Sequence, residues 1–162
     1  MTRSQRVLST LVENKPGTLF RVVHLVRLMR LNVEGLTLGV TNGGADCRMT
    51  MTLSGDDAAI EHVAKQLMKV IDILEAHTYG PEEVTARELA LVKISTDKIS
   101  VAEIQKNTSC RIVDSSPHSV VAEIVGSADE IDQFVQRLGT SNVLDIARTG
   151  VAALPKERLS SR

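Results

Sequence analysis

The chain has 162 residues, of which 43% are hydrophobic and 24% charged, and a formal net charge of -1. This balance excludes a disordered chain and a basic surface for nucleic acid, and three aromatic residues are too few to stack bases. Two cysteines without CxxC spacing, and a first segment that runs straight into a strand pattern, predict a cytoplasmic protein. No apolar run approaches the roughly 18 residues that a membrane span needs.

The first half of the chain predicts the element order βαββαβ. Alternating patterns predict strands over 5–13, 32–41, 45–53 and 76–79, and helical spacing predicts helices over 17–30 and 56–74. Between the second and third strands, Asn42-Gly43-Gly44 is typical of a tight hairpin turn. Leu25, Leu28 and Leu31 form a second apolar stripe on the first helix, which favours a homodimer.

After a polar break at residues 80–83 the same order returns. Strands are predicted over 88–95, 111–115, 119–125 and 143–150, and capping boxes begin two helices at Ser100 and Ser127. The first of these helices is short and weakly patterned. The fold class is therefore α/β (α+β), with two ferredoxin-like βαββαβ domains over residues 1–80 and 81–162.

The sequence offers no catalytic or metal site. It contains no GxGxxG, Walker A, HExxH or GxSxG motif, and its four histidines fall in different predicted elements. Cys47 shares a strand face with apolar residues, which favours core packing, and the Asp56-Asp57 pair is placed to cap a helix. Acylphosphatase-like hydrolysis remains an alternative on this fold, although the loop after the first strand has Lys15 where that chemistry needs an arginine.

The junction between the first strand and the first helix, in "ENKPGTLFRVVHLV", is suited to an anion. A helix N-terminus has unpaired backbone N–H groups, and Gly17 lets a ligand approach them. Pro16 stiffens the loop, and Asn14 either caps the helix or turns its amide toward a ligand. A capped helix without a ligand is the alternative. Because the loop lies at the surface, we expect a substitution at Gly17 to change stability little.

"LVENKPGTLFRVVHLV" resembles the opening of ACT domains, which sense small molecules in amino-acid metabolism. "RELALVKI", "IVDSSPHSVVAEIVGSADEIDQF" and "IARTGVAAL" resemble the second half of one ACT family, the regulatory small subunit of acetolactate synthase. The resemblance covers nearly the whole chain. The sequence departs from the family at Met29-Arg30-Leu31, where an Arg-Gly-aromatic turn is usual, and at Gly35, where serine is common.

The resemblance implies a non-catalytic subunit that activates a separate catalytic large subunit. That partner would carry thiamine diphosphate, Mg and FAD, and this chain would hold no cofactor. A branched-chain amino acid, most often valine, would bind where two ACT domains meet in a homodimer. The effector-binding residues implied are Asn14, Lys15, Pro16, Gly17, Thr18, Leu19, Asn32 and Val33. A free-standing ACT sensor that regulates another enzyme is an alternative, beside the acylphosphatase-like hydrolase.

Overall fold

The computed structural model describes residues 4–106 and 110–156. The chain forms two compact units, one from the chain up to Ala86 together with the segment from Gly150 onward, the other from Arg87–Thr149. Each unit has the order βαββαβ around an antiparallel sheet, which confirms the predicted pair of ferredoxin-like folds. The predicted boundary at residue 80 lies shortly before the division between the units.

The first unit is built on a sheet with the strand order β2-β3-β1-β4. The strands are β1 (Ser4–Glu13), β2 (Asn32–Thr41), β3 (Asp46–Gly55) and β4 (Ile73–Tyr79), and the helices are α1 (Thr18–Leu28) and α2 (Asp57–Leu67). The predicted turn joins β2 to β3, and its Gly43 has φ 66°. Because β1 and β2 both run antiparallel to β3, they are parallel to each other.

Both helices of this unit contribute to one apolar core against the sheet. The core side chains include Leu8, Val12, Val22, Val26, Met49, Met51, Leu53, Ile60, Val63 and Leu67. Burying a side chain of this size stabilises the fold by about 1.5–3 kcal/mol relative to exposure. Cys47 belongs to the same cluster and is 6% exposed, which confirms its predicted packing role.

The two helices differ in detail from their predicted forms. Helix α2 ends at Leu67, so Leu74 lies in β4 instead of on the helix. Of the three leucines in the predicted second stripe, Leu25 and Leu31 pack partly against the core of their own unit, and Leu28 is exposed. Leu31 also lies beyond the end of α1. The predicted second stripe on α1 is therefore wrong, and it gives no support for a dimer.

The second unit repeats the arrangement with the strand order β6-β7-β5-β8. Its strands are β5 (Val84–Ser95), β6 (Cys110–Ser115), β7 (Ser119–Gly126) and β8 (Val143–Arg148), and its helices are α3 (Val101–Gln105) and α4 (Ala128–Leu138). Both predicted capping boxes are confirmed. At α4, the Ser127 N–H donates to Glu130 at 2.6 Å and the Glu130 N–H donates to Ser127 Oγ at 3.3 Å.

The sequence pattern did not predict the last strand. The predicted closing strand ends at Arg148, and the residues from Gly150 onward belong to the first unit. They include β9 (Ala152–Pro155), which pairs with β5, the strand that begins in the first unit at Val84. Residues 150–155 are called the C-terminal strap below. Its Ala153 is 6% exposed and packs with Val7 and Val84.

Candidate functional site

The loop between β1 and α1, residues 14–17, is fastened on one side to the β2–β3 turn. The backbone N–H of Asn14 donates to the Ala45 carbonyl, and its Nδ2 donates to the Gly44 carbonyl, both at 2.9 Å. Of the two roles that the sequence allows Asn14, capping is excluded, because Gly17 occupies the N-cap position and no side chain caps the helix. Asn14 fixes the course of the loop.

Ion pairs fasten the other side of the loop. Asp72, which is 6% exposed between α2 and β4, contacts Arg21 of α1 and lies 3.8 Å from Lys15 Nζ. Lys15 also contacts Glu13, whose backbone N–H donates to the Asp72 carbonyl at 2.9 Å. Sequence reasoning missed Arg21 and Asp72. The available signal was a cation near a helix N-terminus, where the helix dipole disfavours it and a carboxylate partner is needed.

Helix α1 begins without a side-chain cap, whereas the other three α-helices in the described residues are capped by Asp56, Ser100 and Ser127. Its first i to i−4 hydrogen bond runs from the Arg21 N–H to the Gly17 carbonyl at 3.1 Å. In the turn before that bond, the Thr18 N–H donates to the Lys15 carbonyl at 3.3 Å, whereas the N–H groups of Leu19 and Phe20 have no i to i−4 partner. They offer donors and a partial positive charge to an anion.

Gly17 leaves the approach to these donors open. No atom lies within 4 Å of the position that a Cβ on Gly17 would take. Its φ of 88° is in the left-handed region, where a residue with a side chain costs about 1–2 kcal/mol. The expectation that a substitution here leaves stability almost unchanged is therefore wrong, although the space around the residue is free.

The remaining loop residues divide between the core and the surface. Thr18 is 2% exposed, and its Oγ1 has no hydrogen-bond partner within the described part of the chain, so its side chain does not line the open space. Pro16 and Leu19 are exposed. Leu38 and Val40 of β2 are also exposed, and their β3 partners are core residues, so both lie on the helix-covered side of the sheet. They give this end of the sheet an apolar margin.

Asn32 and Val33 lie at the opposite end of the sheet from the loop. Asn32 pairs with Ser54 at the start of β2, whereas Thr41 and Glu13 both pair with Asp46 at the loop end. The nine steps from Asn32 to Thr41, at about 3.3 Å each, span about 30 Å. One chain therefore brings Asn14–Leu19 together but keeps Asn32 and Val33 too far away to touch the same amino acid.

Chemical groups for catalysis are sparse in this fold. Across residues 4–106 and 110–156, no group of three or more His, Cys, Asp and Glu side chains is placed to hold a metal. Burial raises the pKa of the Cys110 thiol, which disfavours the reactive thiolate. No helix in the described residues is both long and apolar enough to cross a membrane.

Comparisons with known proteins assign a family to both halves. Residues 8–75 match the family model of the AHAS small subunit-like ACT domain, and residues 87–157 match that of the small subunit of acetolactate synthase. The chain is 35% identical over 160 residues to a probable acetolactate synthase small subunit of Methanothermobacter thermautotrophicus, covering 96% of this chain and 95% of that protein. It is 31% identical to the acetolactate synthase isozyme 3 small subunit of Escherichia coli, covering 94% of this chain and 96% of the relative.

A solved structure gives the same assignment. The crystal structure of the acetolactate synthase small subunit of Thermotoga maritima superposes with a TM-score of 0.85 at 28% identity, covering 96% of this chain and 99% of the other. The family matches in sequence and the match in fold thus give the same assignment, and the two family models include the β1–α1 loop and β9. The chain belongs to the family of acetolactate synthase small subunits.

Proposed function

We propose that this protein is the regulatory subunit of an acetolactate synthase, and that it makes the enzyme sensitive to a branched-chain amino acid, most often valine. It does no chemistry itself. It activates a catalytic large subunit in the cytoplasm, and that partner carries thiamine diphosphate, Mg and FAD. Membership of the small-subunit family supports the partner, and the uncapped N-terminus of α1 supports the effector.

The start of α1 fits the three needs of an amino acid zwitterion. The carboxylate needs donors, and the N–H groups of Leu19 and Phe20 in the first turn of α1 have no i to i−4 helical acceptor. The ammonium needs an oxygen acceptor, and a side-chain amide such as that of Asn32 has one. The branched side chain needs an apolar wall, and the exposed Leu19, Leu38 and Val40 provide apolar surface at this end of the unit.

Two copies of the chain are needed to complete this site, because the loop and Asn32 lie at opposite ends of the sheet in one copy, which are about 30 Å apart along β2. Strand β2 is at the edge of its sheet and has one partner, β3. If two β2 strands pair antiparallel about a twofold axis, Asn32 of one copy lies beside the loop end of the sheet of the other copy. The homodimer therefore joins edge to edge, and each site takes its loop from one chain and Asn32 with Val33 from its partner.

The second unit has no comparable seat for a carboxylate. At α3, Ser100 Oγ accepts the Glu103 N–H, and the Glu103 carboxylate accepts the Ser100 N–H. The protein's own side chains therefore already occupy these two donors at the start of α3. The preceding segment, Ser95-Thr96-Asp97-Lys98, has no glycine that would admit a ligand to the backbone. We assign effector sensing to the first unit and a part in engaging the large subunit to the second.

Reconstitution with the large subunit of the same organism tests this function. Acetolactate formation is measured for the large subunit alone, with the small subunit, and with increasing valine, leucine or isoleucine. We expect the small subunit to raise the activity and at least one of the three amino acids to lower it again. A free-standing sensor would bind an amino acid and leave the synthase unchanged, and that result would reject the proposal.

A further inference from the structure

The face of the first sheet opposite its helices carries small and polar residues that are nevertheless buried. Ser9, Thr50 and Thr52 are 3%, 4% and 8% exposed. They alternate with the core residues of β1 and β3, so they lie on the side away from α1 and α2. The C-terminal strap helps to cover this face.

The strap reaches the backbone of β2 itself. A Cβ on Gly150 would lie 3.1 Å from the Leu36 nitrogen and 3.3 Å from the Leu36 oxygen, and Gly150 has φ 78°. Only glycine allows this approach without displacing one of the two segments. A Cβ on Gly35 would in turn lie 3.5 Å from Gly150 Cα, so the two segments meet at a pair of glycines.

A side-chain hydrogen bond fixes the strap at the next position. Thr37 Oγ1 of β2 lies within hydrogen-bonding contact of the Val151 carbonyl, with the Thr50 carbonyl as a longer alternative at 3.4 Å. Farther along, the Lys156 N–H donates to the Glu83 carbonyl at 2.9 Å, and Ala153 packs on Val7. The chain is thus held to β2 at residues 150 and 151 and to β1 and the start of β5, the second unit's first strand, just after them.

These contacts fall just after the part of β2 that carries the proposed effector residues. The register of β2 on β3 shifts between Val33 and Gly35, immediately after Asn32 and Val33. This irregularity locally disrupts the hydrogen-bond ladder between the start of β2 and β3, which is the neighbour of β2 within one chain. The position of the first residues of β2 therefore depends on what packs behind Gly35 and Thr37.

We infer that the C-terminal strap is a positioning element of the effector site. It supports the start of β2 from behind and so places Asn32 and Val33 for the amino acid. This inference rests on the proposed effector function and adds to it residues outside the β1–α1 loop. Gly150, Val151 and Thr37 act through Asn32 and do not touch the ligand.

The test is a set of hydroxyl variants in the full-length small subunit. Thr37→Val removes the hydroxyl that holds the strap and keeps the shape of the side chain, whereas Thr37→Ser keeps the hydroxyl. Ser116→Ala is the control, because Ser116 belongs to the second unit, outside the proposed effector residues, and its Oγ also donates to a backbone carbonyl, that of Ser119, at 3.0 Å. Valine binding is measured by calorimetry, and folding is checked by melting temperature.

We expect Thr37→Val to raise the Kd for valine about three- to tenfold, which is the worth of one hydrogen bond. Thr37→Ser and Ser116→Ala should bind like the parent. Gly150→Ala leaves the sequence of β2 unchanged, but its Cβ would force the strap and Leu36 apart. It should therefore also weaken valine binding. A merely structural role would lower the melting temperature and leave the Kd of the folded protein unchanged.

Two results would overturn the inference: parent-like binding by folded Thr37→Val and Gly150→Ala, or equal weakening by Thr37→Val and Ser116→Ala. If the parent binds none of valine, leucine and isoleucine, the proposed effector function itself is rejected, and the inference falls with it. Binding by the parent separates these two failures.

Discussion

At the scale of single residues, Arg30, two residues after the end of α1, has a backbone conformation that glycine adopts more easily. It is the one residue other than glycine in the described ranges with a positive φ, 57°, and its N–H donates to the Arg27 carbonyl at 3.0 Å. The family that the sequence resembles usually has glycine at this point of the turn. A side chain in this region costs about 1–2 kcal/mol, partly offset because glycine loses more chain entropy on folding.

We therefore expect Arg30→Gly to stabilise the protein by about 0.5–1 kcal/mol, measured by denaturant unfolding. The matched control is Arg27→Gly, which places the same substitution inside the last turn of α1 and should destabilise by about 1 kcal/mol. Destabilisation by both variants would show that the arginine side chain contributes more at position 30 than the backbone strain costs.

At the scale of the element, α4 shows how the protein closes its own helix N-termini. The Glu130 carboxylate accepts the Ser127 backbone N–H at 2.6 Å, and this hydrogen bond is the main cause that lowers the pKa of Glu130 below its usual value. The Ser127 side chain lowers the pKa further. Because the folded pKa is depressed, the contribution of Glu130 is present above its ordinary pKa and is lost as pH falls through the folded value.

Ser127→Ala should destabilise the protein by about 1 kcal/mol at neutral pH, since one N–H at the start of α4 loses its acceptor. In the same variant, a carbon-detected NMR titration should find the Glu130 pKa closer to its ordinary value than in the parent. Asp129→Asn is the control, because it removes a charge from the same turn without touching the capping box. An unchanged Glu130 titration in Ser127→Ala would refute the role assigned to Ser127.

At the scale of the whole molecule, the separation of the loop from Asn32 makes a prediction about two chains. Asn32→Ala removes a polar contact to a charged ligand, which costs about 1.5–3 kcal/mol, or roughly ten- to hundredfold in affinity. Gly17→Asp repels the carboxylate, and aspartate is among the residues that tolerate the left-handed φ of position 17. Each variant alone should lose feedback inhibition.

When the two variant chains are mixed and allowed to exchange, sensitivity should return in part. A mixed dimer pairs the intact loop of the Asn32→Ala chain with the intact Asn32 of the Gly17→Asp chain, and so rebuilds one complete site. Holoenzyme activity is followed against valine before and after mixing, with each variant incubated alone as control. If each site lay within one chain, every site in the mixture would carry one defect, and no inhibition would return.

The sequence by itself determined the elements and the family. Alternating and helical spacing, the Asn42-Gly43-Gly44 turn and the two capping boxes depend on residues close together in the chain, and the structure confirms each of them. The ordered motifs indicated the small-subunit family, which the comparisons confirm. The end of α2 was predicted too late, because Leu74 continues the apolar spacing of the helix although it lies in β4.

Only the tertiary structure decided where these elements place the site residues. Strand register places Asn32 about 30 Å along β2 from Thr41, at the opposite end of the sheet from the β1–α1 loop, and no local pattern carries that separation. The ion pair of Asp72 with Arg21 and the return of residues 150–155 to the first unit join segments far apart in the chain. Such contacts arise from packing between segments, and the sequence near either partner does not specify them.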